Sequence, residues 1–326
     1  KERPTFEEIV KILRTDSRFI TTNVQPEDFQ NYIKYIDESN ITFNPTNRVI
    51  IKDKTEFKAK SSIKINSYIS LKTVYQTEVN KITFDFEYLD INNFELQNKI
   101  GESSNVFKIL EKKTGKQYAA KVLQYYHIEN NRSMQKMAIQ EVNSISQVNH
   151  PSFVKFIGYS PIFFNEEPFP TIIMELSLNR SINDFLEIIR EGNEIPEWND
   201  TMKLINIYGI ASGMAYLHSY NIILRDLKPD NILLDDFLFP KIIDFGLSKS
   251  ISNSNVSLTI GVGTLLYMAP ELIKEEKYGK PIDVYSFAII MYEIITGLIP
   301  FQNIRKRMQI FNEVAENGKR PEFKEP

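Results

Sequence analysis

Cysteine is absent from this chain of 326 residues. Its absence excludes disulfide bonds, thiolate nucleophiles and structural zinc sites built on sulfur, and it fits a reducing compartment. Histidine is scarce as well, with three residues, so a histidine-based metal cluster is not expected. The cytoplasm is accordingly the predicted location.

Long hydrophobic runs and a strong excess of one charge are also missing. The longest apolar stretch, residues 287–297, is interrupted by Tyr292 and Glu293 and is too short to span a bilayer, so it predicts a buried core helix. The formal net charge of −3 gives no reason to expect a nucleic acid or a membrane surface as a partner. The apolar content of 42% and the charged content of 25% are ordinary for a globular protein.

Residues 224–231 and 244–246 are the most informative part of the chain. The first run reads Leu-Arg-Asp-Leu-Lys-Pro-Asp-Asn, and the second reads Asp-Phe-Gly. Phosphoryl transfer needs a carboxylate to orient and deprotonate the attacking hydroxyl, a cation near the transferring group, and oxygen ligands for Mg²⁺. These groups are present in chain order as Asp226, Lys228, Asn231 and Asp244. Either motif alone is a weak signal, whereas both together, joined by two apolar runs, are a strong one.

These motifs resemble the catalytic loop and the metal-binding turn of a protein kinase domain. Five further segments match the family's order. Residues 118–121 match the family's strand motif, and Lys121 takes the position of its lysine. Glu141 lies in a helical-looking stretch, where the family has the glutamate that pairs with this lysine. Residues 174–176 resemble the gatekeeper and hinge, and residues 263–271 resemble the end of the activation segment. Residues 283–287 resemble the start of the buried helix that anchors the catalytic loop.

The resemblance implies an α+β, two-lobed protein kinase fold. The small lobe, from about residue 93 to 174, is expected to be an antiparallel β-sheet with one helix. The large lobe is expected to be mainly helical, with helices near residues 181–191, 200–219 and 283–296. In the second of these helices the apolar spacing predicts an inward stripe. Its members are Ile207, Ile210, Ala211 and Met214.

The resemblance also implies a mechanism. ATP is expected between the lobes, with its phosphates oriented by Lys121, which Glu141 holds. Asp226 is the expected acceptor of the substrate proton, and Lys228 is expected to stabilise charge on the transferring phosphoryl group. Asn231 and Asp244 are the expected Mg²⁺ ligands. The residues expected around the nucleotide are Gly101, Val106, Ala119, Lys121, Glu175, Leu176 and Leu233.

Two positions depart from the family's pattern. The phosphate loop retains only Gly101 of the family's three glycines, which puts nucleotide affinity in question. Leu224 replaces the usual histidine before Arg225; leucine keeps the packing beneath Phe245 but not the imidazole's hydrogen bond, worth about 0.5–1.5 kcal/mol. These departures leave open a catalytically silent kinase fold that serves as a scaffold. The complete set of catalytic groups favours an active enzyme.

The residues around the motifs refine the predicted substrate and regulation. Lys228 and Thr264 resemble serine/threonine kinases. The phrases at residues 149–159, 181–186 and 283–287 resemble the tyrosine-kinase-like group. The predicted reaction is transfer of the γ-phosphate of ATP to Ser or Thr of protein substrates in signal transduction. Because Arg225 precedes the catalytic Asp, an upstream kinase is an expected partner, and a plain flexible loop is the equal alternative. The candidate phosphorylation sites are Ser250, Ser252, Ser254, Ser257 and Thr259.

The first residues resemble the way kinase domains of this group end. Arg-Pro-Thr-Phe at residues 3–6 precedes an amphipathic helix, in which Thr5 and Glu8 form a predicted capping box. At the other end, the resemblance implies two further C-terminal helices, and the sequence up to residue 326 does not contain them. One explanation, which we favour, is an excerpt from a tandem array of kinases. The other is a circular permutation, in which the helix docks on the same lobe and Arg3 pairs with Glu271.

The predicted organisation has three parts. Residues 1–21 are the tail of a kinase-like domain or a permuted helix, residues 22–92 are a connector, and residues 93–326 are a kinase domain truncated at its C-terminus. In the connector, Pro26 begins a helix, and alternation from about residue 48 to 89 predicts strands. The connector is either a regulatory flap on the small lobe or a link in the array.

Overall fold

A computed structural model describes residues 2–43, 49–51, 82–84, 89–100, 105–123, 141–166, 169–177, 180–243, 249–250, 265–302, 309 and 311–323. The chain divides into two compact units. The helical unit contains Lys1–Thr42, Asn149–Val154 and Ser177–Pro326. The sheet unit contains Phe43–Val148 and Lys155–Leu176. The last change from one unit to the other along the chain, after Leu176, directly follows the segment predicted as the hinge.

The regular elements alternate between the units along the chain. The described helices, apart from short 3₁₀ and π turns and a helical stretch at 141–147, are α1 (Phe6–Thr15), α2 (Pro26–Glu38), α3 (Ile182–Arg190), α4 (Asp200–Ser219), α5 (Pro270–Ile273) and α6 (Pro281–Thr296). The described strands are β1 (Thr42–Phe43), β2 (Val49–Ile51), β3 (Ile82–Phe84), β4 (Phe94–Ile100), β5 (Val106–Glu111), β6 (Gln117–Val122), β7 (Val148–Asn149), β8 (Phe156–Ser160), β9 (Thr171–Glu175), β10 (Ile222–Ile223), β11 (Ile232–Leu234), β12 (Pro240–Ile242) and β13 (Lys249–Ser250).

The sheet unit is built on a five-stranded antiparallel sheet in the order β4-β5-β6-β9-β8. Residues directly opposite each other in neighbouring strands share a face of the sheet. The pairing of Val106 with Lys121, and of Ala119 with Met174, therefore places all four side chains on one face. The opposite face carries the hydrophobic core of this unit. Its fully enclosed members are Ile91, Phe94, Ile109, Tyr118, Ala120 and Ile173.

The helical unit is organised around α4. The predicted inward stripe of this helix is buried, with Ile210, Ala211 and Met214 completely inaccessible. Other faces of the helix are buried too, because α1, α2, α6 and strands β10 and β12 all pack against it. A helix that is buried on several sides shows little segregation of apolar residues, as expected for a core element.

Local sequence signals explain the ends of these helices. Ser181 caps α3, and a capping box joins it to Asp184. Asn199 caps α4 by accepting a hydrogen bond from the backbone N–H of Met202. Helix α6 begins at Pro281, two residues before the predicted start, since proline is favoured in a first helical turn. It ends where Gly297 adopts a φ of 70°, a conformation that glycine reaches without strain.

Several predicted features lie outside the described residues. These include Gly101, Phe245, Thr264, the metal-binding turn with Asp244, the beginning of the predicted helix before Glu141, and the candidate phosphorylation sites Ser252, Ser254, Ser257 and Thr259. Ser250 forms part of β13, which pairs with β10. Of the predicted strands between residues 48 and 89, β2 and β3 are described and pair antiparallel. Among the described residues, no helix combines the length and the apolarity that a membrane crossing requires.

Candidate active site

An ion pair in the sheet unit joins two of the predicted site residues. The Nζ atom of Lys121, in β6, lies 2.5 Å from Oε1 of Glu141. The side chain of Glu141 is 5% exposed, so it depends on this partner, because a buried carboxylate without a counter-ion is strongly destabilising. The backbone N–H of Val122 donates to the carbonyl of Asn105, which ties the end of β6 to the residue before β5. The lysine ammonium is therefore held in place.

Apolar and hinge residues surround this ion pair along the strands. Val106 and Ala119 lie on the same face of the sheet as Lys121. Met174, in β9, lies on that face too and is 8% exposed. At the end of β9, the N–H of Glu175 donates to the carbonyl of Lys155, and its Oε1 accepts from the N–H of Lys155. Glu175 is consequently fixed by two hydrogen bonds to one residue.

The helical unit contains the predicted catalytic loop, and three of its side chains converge. Nζ of Lys228 donates to Oδ2 of Asp226 at 2.7 Å. Nδ2 of Asn231 donates to the same oxygen at 2.9 Å and to the backbone carbonyl of Asp226 at 2.8 Å. Within the described part of the chain, these side-chain contacts all fall on Oδ2. Oδ1 of Asp226 accepts none of these three hydrogen bonds.

The local fold brings these side chains together. Pro229–Asn231 forms a 3₁₀ turn, which brings Asn231 back towards Asp226. The chain then continues into β11, which pairs with β12, and the N–H of Ile243 donates to the carbonyl of Asn231. In β11, Ile232 and Leu234 are fully buried, whereas Leu233 alternates to the other side and is half-buried. Leu233 thus presents a partly accessible apolar surface near the loop.

Two residues that anchor the catalytic loop stand out in the structure. Oδ1 of Asp283 accepts from the N–H of Arg225 at 2.8 Å, and Oδ2 accepts from the N–H of Leu224 at 2.9 Å. Nε2 of His218 lies 2.8 Å from the same Oδ2. The anchoring helix was predicted from the motif at 283–287, but the role of His218 was missed. Its only signal in the sequence is its position near the end of α4, just before the loop.

Arg225 adopts an uncommon backbone conformation. Its φ is 73°, in the left-handed region that residues with a Cβ rarely occupy. Its guanidinium lies 5.0 Å from the centroid of the Tyr278 ring, and its Nε is buried without a hydrogen-bond partner in the described part of the chain. Strained backbone of this kind is concentrated at functional sites, where the surrounding structure holds it.

The predicted site residues are therefore divided between the two units. The sheet unit holds Val106, Ala119, Lys121, Glu141, Glu175 and Leu176. The helical unit holds Asp226, Lys228, Asn231 and Leu233. The side-chain NH₂ group of Asn231 donates both of its hydrogen bonds to Asp226. Its Oδ1 is therefore the atom that could bind a cation, because Mg²⁺ prefers oxygen ligands. The structure shows no cluster of three or more acidic or histidine side chains among its described residues.

Comparison with known proteins identifies the family. The protein kinase domain family matches residues 94–325, most of the chain, and the chain therefore belongs to this family. This match confirms the predicted family and the predicted two-lobed α+β fold class.

Individual relatives agree with this assignment. Aurora kinase of Saccharomyces cerevisiae is 31% identical over 229 residues, which are 70% of this chain and 59% of that protein. Probable serine/threonine-protein kinase PBL20 of Arabidopsis thaliana is 37% identical over 173 residues, 52% of this chain and 42% of that protein. Mitogen-activated protein kinase kinase kinase 13 of Mus musculus is 34% identical over 166 residues, 50% of this chain and 16% of that protein. The chain thus spans 16% to 59% of the length of these curated relatives.

Proposed function

We propose that this chain is a protein serine/threonine kinase, which transfers the γ-phosphate of ATP to Ser and Thr hydroxyls of protein substrates. The observation that carries the proposal is the convergence of Lys228 and Asn231 on one oxygen of Asp226. This arrangement supplies a positioned carboxylate with a cation beside it, which phosphoryl transfer requires. The matched family and the names of the relatives support the same reaction.

The helical unit's residues have distinct roles in the proposed reaction. Asp226 binds the substrate hydroxyl and accepts its proton, while the hydrogen bonds to Oδ2 hold the carboxylate in one orientation. Lys228 keeps a positive charge next to that carboxylate, where negative charge on the transferring phosphoryl group is stabilised. Asn231 links the side chain and the backbone of Asp226, so the loop geometry is fixed before substrate binds.

The sheet unit's residues bind and orient ATP in this proposal. Lys121 contacts the phosphates, and Glu141 holds the ammonium group in position. Val106 and Ala119 supply apolar contacts to adenine, and the backbone near Glu175 and Leu176 bonds to its edge. Leu233, in the helical unit, stays a predicted nucleotide contact. Gly101 is the phosphate-loop residue of this set. Its role and that of Asp244 stay predictions, because both residues lie outside the described part of the chain.

The protein family also implies a bound Mg²⁺ ion. Asn231, through Oδ1, and Asp244 are the residues that would hold it. When bound, the ion neutralises charge on the phosphates of ATP. The oxygen chemistry of these two side chains suits the ion.

The resemblance to the tyrosine-kinase-like group, which rests on the phrases around residues 181–186 and 283–287, agrees with the relatives PBL20 and mitogen-activated protein kinase kinase kinase 13. Other aspects of the function are supported by the sequence alone. An upstream kinase that acts on the activation segment, and a cytoplasmic location, also stay predictions.

The proposal is tested by transfer of labelled phosphate from Mg²⁺·ATP to the chain itself and to a generic Ser/Thr substrate. We expect Asp226→Asn to lower kcat by at least about 100-fold, because general-base catalysis contributes about 10²–10⁴. The matched control is Asp236→Asn, since Asp236 lies exposed in the turn between β11 and β12. Equal activity of Asp226→Asn and the natural chain would contradict the role of Asp226. Binding of Mg²⁺·ATP without any transfer would instead identify a silent scaffold.

A further inference from the structure

We propose that residues 2–42, the N-terminal segment, complete the helical unit of their own chain, and that Phe6 in this segment is a positioning residue for the catalytic loop. The segment's two helices, α1 and α2, precede the sheet unit along the chain and pack on α4 of the helical unit. The inference rests on the proposed function only for its kinetic readout.

The first contact of the N-terminal segment is a bidentate ion pair. Nη2 of Arg3 donates to Oε2 of Glu271 at 2.9 Å, and Nη1 contacts Oε1. Nη1 also donates to the carbonyl of Pro281 at 2.9 Å, and the guanidinium lies 5.2 Å from the centroid of the Tyr285 ring. Burial opposes ionisation of Glu271, but the hydrogen bonds and charge of Arg3 lower its pKa below the ordinary value. Planar recognition of this kind is specific in geometry as well as charge.

The second contact places Phe6 next to the catalytic-loop anchor. Phe6 is 1% exposed, and its ring centroid lies 5.0 Å from that of His218 and 5.3 Å from that of Phe287, both edge-on. His218 in turn contacts the carboxylate of Asp283, which accepts hydrogen bonds from the backbone of Leu224 and Arg225. Two side chains therefore connect Phe6 to the loop that carries Asp226. Phe6 thus acts on the loop through His218 and Asp283.

The third contact extends over the outer surface of α4. Nε of Arg14 donates to the hydroxyl of Tyr208 at 2.6 Å, and the Phe29 ring lies edge-on to the same tyrosine at 5.6 Å between centroids. Between α1 and α2, the N–H of Gln25 donates to Oγ1 of Thr201 at 2.8 Å. These contacts join the N-terminal segment to α4 at two positions, Tyr208 and Thr201, which are about two helical turns apart. A segment seated at one point only would not make them all.

The buried side chains of the N-terminal segment point to the same conclusion. Seven of its apolar residues have at most 8% exposure, and a solvated tail would leave them in water at a large hydrophobic cost. They are Phe6, Leu13, Val24, Phe29, Tyr32, Ile33 and Ile36. These contacts are all made within one chain, as docking of the N-terminal segment on its own helical unit requires.

A cross-linking experiment tests docking within the chain, whether or not the chain is active. The natural sequence has no cysteine, so Gln25→Cys and Thr201→Cys introduce the only two thiols. With a short bismaleimide reagent at low protein concentration, we expect a cross-linked monomer, with the two sites joined in peptide maps. The control pairs Gln25→Cys with Lys277→Cys, at an exposed position, and should cross-link far less. No cross-link, or cross-links only between chains, would overturn docking in the same chain.

Hydrogen exchange tests the positioning role, again without requiring activity. We expect Phe6→Ala to raise the exchange rates of the Leu224 and Arg225 amides about tenfold or more, because their acceptor Asp283 loses support. Ile12→Ala is the control on the same helix, since Ile12 is 45% exposed. Phe6→Leu keeps apolar volume and should restore most of the protection, so a failure of Phe6→Ala to fold would not hide the result. Unchanged exchange in folded Phe6→Ala would overturn the role of Phe6.

A kinetic measurement then links the positioning role to the proposed function. Well below the melting temperature, we expect Phe6→Ala to lower kcat about tenfold while KM for ATP stays within twofold. A purely structural role would lower Tm and leave kcat of the folded fraction unchanged. If the natural chain transfers no phosphate, the proposed function fails, whereas cross-linking and exchange still decide this inference.

Discussion

At the scale of single residues, the catalytic loop is held by one carboxylate. Asp283 is fully buried, and it accepts hydrogen bonds from two consecutive backbone amides as well as contacting His218. The left-handed conformation of Arg225 costs about 1–3 kcal/mol for a residue with a side chain. The hydrogen bonds to Asp283 offset that cost and hold the backbone of Leu224 and Arg225 in place.

We therefore expect Asp283→Asn to lower the free energy of unfolding by about 3 kcal/mol. The amide has only one carbonyl oxygen, so its NH₂ group must face one of the N–H donors, and a charged hydrogen bond of about 1.5–3 kcal/mol is lost. Urea denaturation measures the difference. Asp236→Asn, in an exposed turn, should change the free energy by less than about 0.5 kcal/mol. Equal stability of the two variants would show that Asp283 does not support the loop.

A second residue-scale feature is the neutral imidazole of His150. Its Nδ1 accepts from the N–H of Ser152 at 3.0 Å, which requires an unprotonated nitrogen. Burial, assisted by the charge of Lys241, lowers the pKa of His150 to about 4 from 6.5. Because the folded-state pKa is below the unfolded one, the unfolded chain takes up the proton first as the pH falls. The stability from His150 is complete above about pH 6.5 and is lost towards pH 4.

The prediction for His150 concerns the slope of stability against pH. Between pH 6.5 and 4 the natural chain should lose up to about 3 kcal/mol through this residue. His150→Asn keeps an acceptor for the N–H of Ser152 but cannot be protonated, so its free energy of unfolding should fall less steeply in that range. Chemical denaturation of both chains at several pH values provides the measurement. Parallel curves would exclude a titrating His150.

At the scale of elements, α4 depends on a residue without a side chain where α2 crosses it. A Cβ on Gly209 would lie 2.3 Å from the hydroxyl of Tyr32 and 2.6 Å from Cγ of Pro240. Burial holds the pKa of the Tyr32 phenol well above its usual value, so the hydroxyl stays neutral. The close approach of the two helices is thus possible only at glycine. The periodic pattern of α4 did not reveal this requirement.

We expect Gly209→Ala to destabilise the protein by about 1–3 kcal/mol, the usual cost of overpacking. The sign of the change in stability is informative, because helix propensity alone would make alanine about 1 kcal/mol more stabilising than glycine. Thermal unfolding should show the loss, and the additional change Tyr32→Phe should recover part of it by removing the hydroxyl. Gly279→Ala is the control, since its nearest neighbour would lie at 3.7 Å. A rise in Tm for Gly209→Ala would contradict the close contact.

At the scale of the whole molecule, the two units contribute different parts of the proposed reaction. Lys121 and Glu141 belong to the sheet unit, whereas Asp226, Lys228 and Asn231 belong to the helical unit. Nucleotide binding and proton removal should therefore be separable by substitution. Because ATP would bind the folded chain and not the unfolded one, a concentration of 100 times its Kd should raise the free energy of unfolding by about 2.7 kcal/mol.

The corresponding prediction uses Mg²⁺·ATP as the probe and Tm as the readout. The natural chain and Asp226→Asn should both show a higher Tm with saturating Mg²⁺·ATP. Lys121→Met should lose most of that shift, because it removes the cation that contacts the phosphates. Lys113→Met, at an exposed turn in the same unit, should retain the shift. A full shift in Lys121→Met would place the phosphates away from Lys121.

Much of the fold and of the candidate site was predictable because it depends on local chain geometry. Asp226, Lys228 and Asn231 lie within six consecutive residues, so a single turn determines their approach. The helices at 181–191 and 200–219 were found to within a residue, since their caps Ser181 and Asn199 directly precede the apolar pattern. The pairing of Lys121 with Glu141 came from the resemblance to kinases. Neither periodicity nor spacing alone indicates it.

The rest depended on packing between segments that are distant in the chain. Phe6 belongs to the amphipathic pattern of α1, and His218 lies near the end of α4. Only tertiary contacts connect them to the catalytic loop: the ring contact of Phe6 with His218, and the contact of His218 with Asp283. The sequence by itself determined which groups carry the chemistry, because covalent bonds set their order and spacing. Which surface buries α1 was decided by the tertiary structure alone. A tail that belongs to another kinase and a helix that docks on its own chain would have the same sequence pattern. They differ only in the surface that Arg3 and Phe6 contact.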